Sequence, residues 1–280
     1  MSLAGVVGLF RGKPKHAIGS DGKMALGDHF RELRARLMRS LLVFVLLFFG
    51  ALFFYNELLE LVLNPYNHAR EVLQADVSTE AYVKGATGPL MLQLKLCGIA
   101  ALVLASPYWL YQIWGFLVPG LTAREKRWSR VFAAVAGPLF LGGVALGYYV
   151  LPKGLEVLLS FTPDGMQNLV EFGEYFSFFT RMLLVFGIAM EIPLFVIMLN
   201  LAGIITGKQI GAYRPWIIVG TFIFAAVATP STDPFAMSIL AGVMTALFLI
   251  SEVVARVLDR WRGRRSAGTD QWADDEISTL

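Results

Sequence analysis

Three carboxylates and one aromatic run carry the chemistry this sequence can offer. Glu191 lies in the otherwise apolar run Phe186-Gly187-Ile188-Ala189-Met190-Glu191-Ile192-Pro193. A carboxylate at membrane depth is costly unless it faces protein, water or a partner, which makes it a functional candidate by default. The plainer alternative is a structural hydrogen bond to backbone loosened by Pro193. Glu125 and Glu32 are different, because both lie beside dense positive charge at the edges of apolar segments. Two carboxylates on one surface suit a paired-guanidinium ligand, since planar, bidentate pairing favours Arg over Lys. Each also has a purely structural reading. Thr122-Ala123-Arg124-Glu125 matches a capping box with Glu at N3, and Glu32 can pair with Arg36 one helical turn on.

Enzyme chemistry finds little support. His16, His29 and His68 all fall outside the long apolar runs, so intramembrane haem ligation or a His-based metal site is not expected. No Gly-x-Ser-x-Gly elbow, phosphate loop or His/Glu zinc pattern occurs. The expectation is a non-enzymatic protein without cofactor or metal. Cys97 is the single cysteine and permits no intramolecular disulfide.

The elements that hold these groups are membrane helices. Of the 280 residues 56% are hydrophobic and 16% charged, whereas soluble domains carry about 25% charged residues. Mean hydropathy is +0.61. Asp28 reads as an N-cap, and Phe30, Leu33 and Leu37 recur at helical spacing among Arg31, Glu32, Arg34, Arg36 and Arg39, an amphipathic helix at the membrane surface. Arg34 and Arg36 serve there as orientation charges. Six apolar segments follow: Leu37–Leu58, Leu90–Val118, Trp128–Leu151, Tyr175–Leu201, Trp216–Ala228 and Phe235–Ser251. Pro65 ends the helix after Asn64, and Pro107 kinks the second span. Asp233 before Pro234 reads as an N-cap with an N1 proline. Arg181, inside the fourth span, cannot reach Glu191 on a regular helix and snorkels to the outer face.

Orientation follows from the basic residues. The N-terminus, the 120–130 loop, the 206–214 loop and the C-terminus hold 19 of the 24 Lys and Arg. That alternation predicts six spans with both termini cytoplasmic. Between Ser106 and Arg127 an apolar run passes through Trp109, Tyr111 and Trp114 into Arg124-Glu125-Lys126-Arg127, a helix arriving at the cytoplasmic headgroups. The fifth segment covers only about 20 Å of a core about 30 Å thick, so it either thins the bilayer or re-enters; the polar turn favours a short crossing pair. Residues 1–27 are expected to be a disordered extension with Met24 as a possible start, 28–260 the membrane domain, and 261–280 an Arg-rich then acidic disordered tail. The basic balance, pI about 9.0, reports orientation and anionic-lipid contact before nucleic acid.

Several segments jointly resemble the TatC family, the multispanning subunit of the twin-arginine protein translocase. They are His29-Phe30-Arg31-Glu32-Leu33-Arg34-Ala35-Arg36-Leu37; Ser106-Pro107 with Leu110-Tyr111-Gln112-Ile113-Trp114-Gly115-Phe116 and Glu125-Lys126-Arg127; Phe186-Gly187 through Glu191-Ile192-Pro193; and Thr229-Pro230 with Asp233. The match spans about residues 28–260. It implies an all-α polytopic membrane protein, cup-shaped, with short fifth and sixth helices, in a bacterial or organellar inner or plasma membrane. It implies recognition of twin-arginine signal peptides of folded cargo at the cytoplasmic face, self-association, assembly with single-span TatA- and TatB-type subunits, and transport driven by the proton-motive force. Under the resemblance Glu32 and Glu125 receive the arginine pair, and Phe116, Arg34, Arg36 and Pro107 shape that surface. Glu191 and Thr229 form an intramembrane polar or partner site, and Pro65 and Asp233 hold the outer side. Phe30 stands where Leu is common, and Met237 lies near where some members carry a glutamine. The rival reading is a proton-coupled small-solute transporter using Glu191, although the two halves show no clear repeat.

Overall fold

The computed structural model describes residues 26–72, 79–117, 125–163, 168–201, 203–228 and 234–270. Within them the chain runs α1 (Leu26–Phe53), α2 (Tyr55–Val72), β1 (Thr79–Tyr82), α3 (Gly88–Leu104), α4 (Ser106–Leu117), α5 (Glu125–Ser160), β2 (Asn168–Glu171), α6 (Phe172–Leu201), α7 (Gly207–Ala212), α8 (Arg214–Ala228) and α9 (Pro234–Asp270). The segments His29–Phe53, Ala134–Ser160, Phe172–Leu201 and Pro234–Trp261 are long and apolar enough to cross a bilayer. The pair α3–α4 makes a fifth if taken as one bent span. The chain is a helical membrane protein, and its exposed apolar side chains, such as Phe49, Phe53 and Val227, are the surface that lipid or partner helices cover. The 15 residues of α8 reach only about 22 Å, short of the roughly 30 Å core.

The expected kink lies where the sequence put it. Between Gly88–Leu104 and Ser106–Phe116 the axis turns by 55°, because Pro107 brings no N–H to the turn before it. At the break the Trp109 indole donates to the Leu102 carbonyl at 3.0 Å, so that carbonyl keeps a partner in a region without water.

Pro65 behaves otherwise than expected. It does not end a helix at Asn64; it sits buried inside α2, which continues to Val72. Without the Pro65 N–H, the Leu61 carbonyl loses its helical partner, and the Tyr148 hydroxyl of α5 donates to it at 3.1 Å. Tyr175 of α6 donates to the next carbonyl, Val62, at 2.5 Å. Tyr148 thereby supplies the donor that Pro65 lacks, and Tyr175 adds a bond at the adjacent carbonyl.

The sixth helix is also longer than expected. The apolar pattern predicts the short segment Phe235–Ser251, whereas α9 has 37 residues. No proline follows Pro234 and the exit is rich in Arg, a good helix former, so one helix carries the apolar run into the charged end. A four-residue parallel ladder, Thr79↔Asn168 to Tyr82↔Glu171, adds a strand pair to the otherwise helical plan.

The core is built on close approach of α5 and α6. A Cβ on Gly143 would lie 2.5 Å from the Phe186 carbonyl, and one on Gly187 2.8 Å from the Phe140 ring. Small residues that bring helix backbones together are the usual basis of membrane packing. Phe140 and Phe186 are fully buried across this contact. Leu110 and Trp114 of α4 pack with Leu194 of α6, which sets the end of α4 beside the end of α6.

Candidate functional site

The first turns of α1 lie against α4. His29, Glu32 and Arg36 share one helical face by their i, i+3, i+7 spacing. The His29 ring stacks on Phe116 with centroids 4.3 Å apart and planes 20° from parallel. Arg36 Nε donates to Glu32 Oε1 at 3.0 Å, and Nη2 donates to the same oxygen. Nη1 lies 3.4 Å from both the main-chain and the side-chain oxygen of Gln112. Gly115 makes room for this arrangement, because any Cβ there would overlap the Arg36 guanidinium.

The chemistry of this rim follows from where the donors go. Both Arg36 bonds converge on Oε1, which leaves Glu32 Oε2 as an acceptor with no hydrogen bond from a described residue. The side chains of Glu32 and Arg36 are 17% and 20% exposed, screened from bulk water yet reachable. An open carboxylate oxygen beside a stacked aromatic pair can accept a guanidinium and cover its flat face.

Glu32, Arg36 and Phe116 are thus brought together, with Gln112, Gly115 and His29. Arg34 is exposed on another face of α1. Pro107 opens α4, nine residues and about 14 Å from Phe116, where it packs on Gly137 and lines a shallow groove with Tyr108, Tyr111, Ala134 and Pro138. The backbone of Glu125 starts α5, but its side chain lies outside the described residues, as do the capping box before it, Thr229 and Asp233.

Glu191 is 5% exposed within α6. Neither carboxylate oxygen makes a well-formed hydrogen bond to a described residue; the Trp114 side chain of α4 faces it without the alignment of a full bond. The backbone-bonded alternative for this acid therefore fails. Trp114 is 1% exposed and lies 4.7 Å from Phe195, ring to ring. One short helix, α4, touches both the rim acid through Arg36 and the buried acid through Trp114. Arg181 is exposed on α6.

A second polar cluster escaped the sequence reading. Glu252 of α9 is 2% exposed and accepts from Arg214 Nε at 2.9 Å and Nη2 at 2.7 Å. Arg256, one turn on, reaches the same carboxylate at 2.7 Å. The signal was present: Glu252 stands inside an apolar run, four residues before an arginine.

Comparison with known proteins bears on the chain as a whole. Residues 28–242 match the family model described as Sec-independent protein translocase protein (TatC). The chain is similar to the Sec-independent protein translocase protein TatC of Corynebacterium kroppenstedtii, 36% identical over 281 residues, 93% of this chain and 68% of that one. It is 38% identical to the TatC protein of Xylanimonas cellulosilytica over 254 residues, 90% of each chain. Its fold is similar to a crystal structure of the twin-arginine translocase receptor TatC, with TM-score 0.66 and 29% identity over 82% of this chain and 98% of that one.

Proposed function

Because the chain belongs to the TatC family and is a receptor subunit of the twin-arginine translocase, we propose that it captures the arginine pair of a signal peptide on the rim where α1 meets α4. It is a non-enzymatic, multi-pass membrane protein of bacterial type, and the rival reading as a small-solute carrier is set aside. The observation that carries the proposal is the open Oε2 of Glu32, held in place by Arg36 and flanked by the Phe116–His29 stack. An incoming guanidinium pairs with Glu32 without displacing Arg36, and the second arginine falls to Glu125, which follows the loop after α4. Both acids then act by binding alone, since planar forked donors match carboxylates better than a lysine ammonium does.

The remaining parts follow the same reading. Six spans, with both termini cytoplasmic, enclose a concavity. The buried Glu191, and with it Thr229, offers polar contacts there to single-span TatA- and TatB-type subunits, and transport draws on the proton-motive force. Pro65 and Asp233 organise the outer side, where two tyrosines take the carbonyls around Pro65.

The test is a photo-reactive residue in place of Phe116. A twin-arginine precursor is expected to cross-link there, and Glu32→Gln combined with Glu125→Gln to abolish the product while the protein stays in the membrane. Undiminished cross-linking in that double variant would reject the carboxylate assignment.

A further inference from the structure

At the junction of α7 and α9, Lys208, Arg256, Asp259 and Arg260 line an open cavity of about 210 Å³. It holds three cations and one carboxylate, and the carboxylates within reach are already engaged. Asp259 accepts from the Gly207 main-chain N–H at 2.6 Å through Oδ2 and from the Asn200 amide at 3.0 Å through Oδ1. Glu252 takes two bonds from Arg214 and one contact from Arg256. Lys208 and Arg260 have no ion pair among the described residues. The cavity therefore carries surplus positive charge that no described residue neutralises.

That surplus is held in place. A Cβ on Gly207 would lie 2.7 Å from the Arg256 main-chain nitrogen, and one on Gly211 would overlap the Arg256 guanidinium. These two glycines let α7 lie directly on α9, which sets Lys208 beside Arg256 and Arg260. The surroundings are amphiphilic. Val253, Val257 and Trp261 are exposed on α9 at 61%, 42% and 66% and form an i, i+4, i+8 stripe next to the Arg256–Arg260 stripe. On α8 and just before it, Trp216 and Tyr213 are exposed. Trp and Tyr favour headgroup depth, and basic pockets between membrane helices suit phosphate-bearing headgroups.

We propose that this cavity is a binding site for the phosphodiester of one anionic phospholipid, with Lys208, Arg256 and Arg260 holding the phosphate and Val253, Val257 and Trp261 lying along the acyl chains. A free phosphate would satisfy the same cations but would make no use of the apolar stripe. The site is separate from the α1–α4 rim and does not depend on how signal peptides are read.

Native mass spectrometry of the full chain in detergent, with equimolar phosphatidylglycerol and phosphatidylcholine, tests it. The wild type is expected to retain one phosphatidylglycerol in preference to phosphatidylcholine. That preference should fall about fivefold for each cation removed in Lys208→Gln and Arg260→Gln. It should survive in the charge-keeping variant Lys208→Arg with Arg260→Lys, and in Arg70→Gln, which removes a cation elsewhere. An equal preference in wild type and the Lys208→Gln/Arg260→Gln variant would overturn the proposal, as would an equal fall in Arg70→Gln. Displacement of the lipid by millimolar inorganic phosphate would overturn the lipid assignment in favour of a free anion.

Discussion

Arg36 donates to Glu32 from two guanidinium nitrogens, and both bonds end on the same carboxylate oxygen. The pair is thereby asymmetric: Arg36 orients Glu32 without consuming it. Glu32→Gln removes the charge that receives a guanidinium and is expected to weaken binding of a labelled twin-arginine peptide about 10- to 100-fold, the range of a charge-assisted hydrogen bond. Arg36→Lys keeps the charge and loses the forked geometry, so the loss should stay below about tenfold. Fluorescence anisotropy with the purified protein measures both.

Gly115→Ala addresses the other end of Arg36. The added methyl meets the far end of a flexible side chain, so unfolding in detergent should shift by only about 1 kcal/mol. Arg36 must leave Gln112, however, and peptide binding is expected to fall. In the Gly115→Ala background, Arg36→Ala should then cost less binding than it does alone, the non-additivity of two changes acting on one contact. Full additivity would show that Gly115 acts elsewhere.

Glu191 separates stability from function. A buried carboxylate without a well-formed hydrogen bond destabilises its surroundings, so Glu191→Leu is expected to leave the thermal midpoint in detergent unchanged or raise it. The same variant should lose cargo transport into vesicles that contain the partner subunits, with Glu191→Gln between the two. A Leu variant that is less stable yet transports normally would make this acid structural.

The Pro65 arrangement predicts a coupling between two helices. Tyr148→Phe alone removes a hydrogen bond to a carbonyl that Pro65 leaves without a helical donor, a cost of about 0.5–1.5 kcal/mol. Pro65→Ala supplies an N–H to the Leu61 carbonyl, and in that background Tyr148→Phe should cost only about a few tenths. Detergent unfolding of the four proteins in the cycle measures the difference.

Much of this architecture was legible in the chain itself. Apolar run lengths marked the long helices, Pro107 marked the bend, and the i, i+4 spacing anticipated the Glu32–Arg36 pair. Local signals failed where a distant residue decides the outcome. Pro65 reads as a helix end until Tyr148, 83 positions on, takes up the orphaned carbonyl. Gln112 and Gly115 have no chemistry to announce them and matter only because Arg36 lands between them. The β1–β2 ladder joins two four-residue segments 89 positions apart, too short for alternation to register. Glu252 is missed when the sixth segment is ended at Ser251, one residue before the carboxylate that interrupts the apolar run.

The most direct measurement is the affinity of the purified protein for two signal peptides that differ only in Arg-Arg against Lys-Lys. The account predicts that wild type favours the arginine peptide by at least about tenfold, and that Glu32→Gln with Glu125→Gln brings the two affinities together. The same preference for arginine in wild type and double variant would contradict it.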